Sequence, residues 1–342
     1  MPSAIPGDLR LTQAMLHYQD LALSNNTRTT YAAGVRAFQL FLIMNNIQRI
    51  HHSSLCHPSE LIFMYFVTHC AHSLRLSYTT IKTYLSGIRN AYIQLGLGDP
   101  LLDSNGTQLS RLQLIMRGIH KQQKTYQRPR LPITVDILNN ICILLQAGVF
   151  GKYTDKLLHT TCVLAFFGFL RCGEFTCNSQ FCKDSNVTLS DVQFKNDNNN
   201  KACLFHIKSS KTDPFRKGHT ITLFQTDNIL CPVQALETYH KIRQAMGAKQ
   251  HDPLFVTQEG HPLSRESFIS LLRTVLERLG YNPTLYAGHS FRIGAATTAA
   301  AAGIPDHLIK TLGRWSSDCY TVYIRTPQSI IASAHKRLAH RC

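Results

Sequence analysis

A histidine and an arginine three residues apart open the segment Gly288-His-Ser-Phe-Arg292, ahead of an alanine-rich run that ends at Gly303. On a helix that spacing stacks His289 and Arg292 on one face near the start. Free backbone N–H groups and the helix dipole already favour an anion there. The pair alone recurs by chance, but its downstream neighbours form a rarer pattern. Gly303 can close that helix and Pro305 can open another, which Leu312-Gly-Arg-Trp315 ends. Ser316 or Ser317 can cap a third helix, with Asp318 in its first turn. That helix carries Tyr320 and Tyr323, and Trp315, the only tryptophan of the chain, precedes the second by eight residues. The chemistry on offer is anion binding, with two phenols close by in sequence.

These residues need a scaffold, and its elements are readable from apolar spacing. Ahead of residue 121 the chain reads as helices. One is anchored by Tyr31, Val35, Phe38, Phe41 and Leu42; the others span about 61–69, 77–95 and 108–121. Lys82 and Arg89 are seven apart and share a face of the third. Residues 121–132 are polar, basic and broken by two prolines, as a linker reads. They contain Lys121, Lys124, Arg128 and Arg130. Beyond them the pattern is mixed. Helices are expected at 134–145, 154–170, 232–245, 264–279, 290–302, 305–312 and 317–324. Short strands are expected at 186–194, 202–209 and 219–223, the first two joined by an Asn-rich turn at 196–200. Ile330, Ile331, Ala334 and Leu338 give the tail at 326–342 an apolar stripe.

Charge narrows the class of partner. The 342 residues carry 36 Lys+Arg against 20 Asp+Glu, a formal charge of +16. The surplus is shared evenly, +8 in residues 1–130 and +8 in the remainder. An excess on this scale points to a polyanion. Its even spread suits two basic domains on one long anion better than a neutral enzyme with a basic tail. Between Lys82 and Arg130 the only acids are Asp99 and Asp103, so most basic residues there are expected to lack ion-pair partners. No apolar run approaches the ~18–20 residues that span a bilayer. The opening residues show no secretory pattern. The 11 cysteines include no C-x-x-C pair, and no H-E-x-x-H frame occurs. Reduced thiols in an intracellular protein, with no metal and no cofactor, are the expectation.

Taken together, these segments resemble the tyrosine recombinase (phage integrase) family. The family order is an Arg, a Lys on a strand turn, H-x-x-R, a His or Trp, then a Tyr. Arg171 in Leu170-Arg-Cys-Gly-Glu174 fits the first and Lys211 in Ser210-Lys-Thr-Asp213 the second. His289 and Arg292 fit the third, Trp315 the fourth and Tyr323 in Tyr323-Ile-Arg325 the last, in preference to Tyr320. The phrases around Lys211, His289 and Trp315 are most similar to recombinases of eukaryotic mobile elements of the Crypton and DIRS types. The resemblance implies two domains. The first is an all-α, SAM-like core-binding domain at 8–120. After the linker at 121–132 comes a mixed α+β, mainly helical catalytic domain at 133–342, with a small antiparallel sheet and a tail helix. Lys82, Arg89, Lys121, Lys124, Arg128 and Arg130 are the expected DNA contacts.

The chemistry implied is strand exchange without metal or ATP. A phosphodiester repels a nucleophile, and its pentacoordinate transition state gathers charge on the non-bridging oxygens. Arg171 and Arg292 would fork onto those oxygens, a geometry lysine does not match. Preorganised donors of this kind are worth roughly 3–4 kcal/mol each in other enzymes. His289 would hydrogen-bond an oxygen or help take the tyrosine proton. Trp315 can only donate through its indole N–H. Lys211 would be the general acid for the departing 5′ oxygen, and Glu174 would orient Arg171 or His289. Tyr323 would attack and remain attached as a 3′-phosphotyrosyl ester. The implied function is a site-specific DNA recombinase or integrase of a mobile element. It would act in the nucleus on double-stranded DNA, self-associating there as a tetramer, with no membrane and no small-molecule substrate. A catalytically silent, DNA-binding descendant is the alternative. A metal-dependent transposase would need spaced carboxylates, and none stand out.

Overall fold

A computed structural model describes residues 8–47, 58–123, 130–177, 180–197, 200–210, 213, 217–326, 331–332 and 335–336. The chain divides into two compact units, Met1–Gln127 and Arg128–Cys342.

The first unit is helical. Its helices are α1 (Leu9–Leu21), α2 (Asn25–Met44), α3 (Glu60–His72), α4 (Tyr78–Gln94) and α5 (Ser110–Gln122). Serines cap two of them as their sequences suggest, Ser24 onto Thr27 N–H and Ser77 onto Thr80 N–H. The core is aromatic: Phe38 stacks on Phe63 and meets Phe66 edge-on, with Ile81, Ile88 and Leu112 fully enclosed around them. Helices α2 and α4 cross at two reciprocal glycines. A Cβ on Gly34 would lie 2.6 Å from Tyr84 Cα, and one on Gly87 would lie 2.6 Å from the Tyr31 carbonyl oxygen. Glu60, at the start of α3, caps α5 by accepting the N–H groups of Arg111 and Leu112 at 2.8 and 3.0 Å. Helix α1, absent from the sequence expectation, buries none of its residues.

The second unit combines α6 (Val135–Ala147), α7 (Lys152–Phe167), α8 (Pro232–Ala245), α9 (Arg265–Arg278), α10 (His289–Ala301) and α11 (Asp306–Leu312) with one antiparallel sheet. The strands β1 (Val192–Asp197), β2 (Asn200–Ile207) and β3 (His219–Phe224) lie in the order 1-2-3, with Val192 opposite Phe205 and Phe205 opposite Ile221. Helices α7 and α10 form the centre. Eleven of the sixteen residues of α7 are buried and nine of the thirteen of α10. Small residues let α10 approach closely; a Cβ on Gly294 would overlap the Ile133 carbonyl.

Several boundaries differ from the sequence expectation, and three elements show why. Strand β1 starts at Val192, not 186, because Thr188 and Asp191 close a single 3₁₀ turn on each other first. Helix α7 stops at Phe167, not 170, because Phe169 turns left-handed at φ 48°. The expected helix at 317–324 is a 3₁₀ helix, Asp318–Tyr323. The middle of the Asn-rich turn, and the tail apart from Ile331, Ala332, His335 and Lys336, lie outside the described residues. Among the described residues, no helix is long and apolar enough to cross a membrane.

Candidate active site

A cleft of about 660 Å³ opens on the second unit where three loops meet. Its wall is formed by Arg171, Glu174, Ser209, Ser210, Arg265, His289, Arg314, Trp315 and Tyr323, among others. The sharp end of α7 delivers the first two. Cys172–Glu174 make a single 3₁₀ turn, in which Glu174 accepts the backbone N–H of Arg171 at 3.0 Å. The same carboxylate then holds two guanidinium groups. Oε1 lies 3.0 Å from Arg171 Nη1, and Oε2 lies 2.8 Å from Arg314 Nη2. The Glu174 side chain is 2% exposed, so this acid is a buried anchor.

The start of α10 delivers His289 at the surface and Arg292 in the interior. His289 Nε2 lies 3.2 Å from the Tyr323 hydroxyl. Arg292 is completely buried. Its Nη1 donates to the Phe169 carbonyl and its Nη2 to the Gly313 carbonyl, both at 2.5 Å, and its Cζ stands 4.3 Å above the Trp315 ring. Burial, then the nearby charges of Arg171 and Arg314, lower its pKa to about 10, so it stays cationic at neutral pH.

Trp315 is the floor on which the aromatic residues are assembled. It stacks on Tyr323 at 5.5 Å and 29°, and contacts Tyr320 at 6.0 Å. A 3₁₀ helix repeats every three residues, so both tyrosines meet this one ring. Their surroundings differ all the same. Tyr323 lines the cleft, whereas Tyr320 is buried, and burial together with the Asp306 carboxylate raises its pKa. Gly313 must be glycine because the Trp315 ring occupies the space a Cβ would take. Arg314, between them, adopts φ 54°.

Thus Arg171, Glu174, His289, Trp315 and Tyr323 converge on the cleft, and Arg292 lies beneath it. Lys211 lies outside the described residues, although Ser209 and Ser210 just before it line the cleft. Lys208, three residues earlier, is committed elsewhere, 2.7 Å from the Asp191 carboxylate. Sequence reasoning missed Arg314 and Arg265. The signal for Arg314 was its place beside the lone tryptophan; Arg265 carries no motif at all. Among the described residues, no group of three or more His, Cys, Asp or Glu could hold a metal.

The expected DNA contacts fall in both units. Lys82, Lys121 and Arg130 are exposed, while Lys124 and Arg128 lie outside the described residues. Lys121 belongs to α5 rather than to a linker. Arg130 donates to the Thr284 carbonyl at 2.7 Å. Arg89 is not the unpaired cation expected of it, since its Nε lies 2.5 Å from the Asp99 carboxylate.

Residues 186–326 match the model of the phage integrase family. No curated protein matches it by sequence. Its fold is shared with solved structures at low identity. The XerH site-specific recombinase, bound to a palindromic difH substrate, matches at a TM-score of 0.61 and 16% identity over 90% of this chain and 78% of that one. The Tn1549 transposon integrase in complex with transposon right-end DNA gives 0.52 and 15%, over 92% and 99%. A lambda integrase dimer bound to a COC′ core site gives 0.52 and 14%, over 92% and 77%. The mostly helical architecture, with a helical N-terminal unit and a small antiparallel sheet, is the fold of these recombinases.

Proposed function

We propose that this protein breaks and rejoins duplex DNA as a site-specific recombinase or integrase of a mobile element, through a 3′-phosphotyrosyl intermediate at Tyr323. One observation carries the reading. The Tyr323 hydroxyl sits 3.2 Å from His289 Nε2, on the wall of a cleft whose other charged lining residues are mainly arginines. With Nε2 unprotonated, the phenol donates to it, and this is the direction its proton takes as Oη attacks phosphorus. The P–O bond to the 5′ oxygen breaks as the P–O bond to Tyr323 forms. Lys211, on the segment after Ser210, is the proposed donor of the proton that the 5′ oxygen takes up. A DNA 5′-hydroxyl reverses the sequence on another strand, so the ester is exchanged and not hydrolysed.

The solved recombinases of this fold named above were all captured on DNA. Their DNA-bound state supports double-stranded DNA as the partner here, and the proposal includes assembly as a tetramer on it, in the nucleus. The test uses a pool of nicked duplexes with a randomised centre, in which the short strand beyond the cut diffuses away, with EDTA present. The expected result is a labelled protein–DNA adduct that resists denaturation and maps to the peptide containing Tyr323. Binding with no adduct would establish a silent DNA-binding descendant instead. An adduct or nick that needs magnesium would establish metal-dependent chemistry.

A further inference from the structure

The cleft holds two thiols that strand exchange does not use, Cys172 and Cys319. Cys319 is free and exposed, a condition it shares only with Cys182 among the described residues. We propose that Cys319 is a covalent modification site for an anionic disulfide of the glutathione type, and that the attached group fills the cleft and closes it to substrate. The site stands apart from the strand-exchange reading; its consequence for Tyr323 rests on that reading.

Charge, size and position set Cys319 apart. Three arginines, Arg171, Arg265 and Arg314, line the cleft against one acid, Glu174. That carboxylate is already shared by two of them, so the cleft keeps a positive surplus that draws in an anion. Asp318, next to Cys319 in sequence, does not cancel it. Its carboxylate lies 2.9 Å from Lys310 Nζ, and the same ammonium is near enough to interact with the Cys319 sulfur. A cleft of about 660 Å³ also falls within the ~300–1,000 Å³ of pockets that hold small molecules. Cys319 belongs to the 3₁₀ helix Asp318–Tyr323, and both Cys319 and Tyr323 line the cleft. A group attached to Cys319 therefore competes for the space in which Tyr323 would meet phosphorus.

The exchange needs no oxidant beyond the disulfide itself. The Cys319 thiol gives its proton to solvent, and the thiolate attacks one sulfur of glutathione disulfide. The reagent's S–S bond breaks as the new one forms, and the departing glutathione thiolate takes a proton back. Cys172 is a poor competitor. It is buried, and burial pushes its thiol up to about 11, so little of it is the reactive thiolate. Cys182 is the sharper comparison. Hydrogen bonds from the Asp184 backbone and from Ser185 hold its thiol below the ordinary value, which favours reaction there. Cys182 does not line the cleft, however. The charge of the reagent is what tells the two exposed thiols apart.

The test varies that charge. The full-length protein is treated separately with glutathione disulfide (anionic), cystamine (cationic) and iodoacetamide (neutral), and each cysteine is followed by peptide mass spectrometry. The ratio of Cys319 to Cys182 labelling is expected to be ~10-fold higher with glutathione disulfide than with cystamine, with iodoacetamide between them. The difference is expected to collapse in ~1 M salt. A ratio indifferent to reagent charge, or one that favours Cys182 with glutathione disulfide, overturns the site. Protein loaded at Cys319 is expected to lose formation of the Tyr323 adduct in proportion to the fraction loaded, with recovery in dithiothreitol, and Cys319→Ser is expected to be insensitive to the disulfide. Adduct formation untouched by loading overturns the blocking role. If the reduced wild type forms no adduct on any duplex, the strand-exchange reading fails, and the labelling ratios alone judge the site.

Discussion

Two phenols three residues apart stand against the same indole and meet different chemistry. Tyr320 is buried, and the Asp306 carboxylate beside it opposes ionisation. Tyr323 stands at the cleft with His289 in reach of its hydroxyl. A nucleophile needs access to phosphorus and somewhere to send its proton, and only Tyr323 has both. Tyr323→Phe is therefore expected to abolish the covalent adduct while leaving DNA affinity within a factor of a few. Tyr320→Phe is expected to keep the adduct and to lower the denaturation midpoint slightly, as the loss of one hydrogen bond does. Running the adduct assay and a denaturant melt on both variants separates the roles, and an adduct surviving Tyr323→Phe would refute the assignment.

At the scale of elements, legibility followed burial. The helices with a continuous apolar face, α4 and α9 among them, were plain in the sequence because the core they face imposes the period. Helix α1, missed in the sequence, buries none of its residues. The candidate site was legible as residue types: five of the six residues expected in the reaction, Arg171, His289, Arg292, Trp315 and Tyr323, are brought together at or under the cleft. Which of them face the cleft was not legible. Whether Arg292 or Arg314 faces the cleft depends on a left-handed turn at Arg314 and a ring lying on Gly313, and neither leaves a mark in composition or spacing. Helix α7 shows another hidden property. His159 is buried within it, with Nε2 against the Ile229 carbonyl at 3.2 Å. Burial, assisted by Lys156, lowers its pKa from 6.5 to about 4. The unfolded chain thus binds a proton that the fold refuses between those values. Stability is intact above pH 6.5 and declines as pH falls toward 4, by up to ~3 kcal/mol from this one group. Urea melts at pH 7 and pH 4.5 should show a smaller acid loss in His159→Gln than in wild type, and identical losses would exclude His159 as the cause.

For the molecule as a whole, the surplus of +16 predicts how it would hold the proposed DNA partner. Contacts between basic side chains and phosphates release counterions, so affinity should fall steeply with salt; six to ten such contacts correspond to a loss of ~10³–10⁵ between 50 and 200 mM. Not every cation contributes equally. Lys82 is exposed on α4 and, among the described residues, has no ion-pair partner, whereas Arg89 on the same helix is already neutralised by Asp99. A phosphate must compete with that carboxylate for Arg89 and meets no such rival at Lys82. Substituting each by glutamine in the full-length chain should separate them. Lys82→Gln is expected to flatten the salt slope by ~0.9 for one lost phosphate contact, and Arg89→Gln by less. Because backbone contacts carry no sequence information, both variants should weaken binding equally on target and unrelated duplexes. If Arg89→Gln flattens the slope as much as Lys82→Gln, Asp99 gives way to DNA, and the pairing seen within α4's surroundings is no guide to which cations of this domain reach the phosphates.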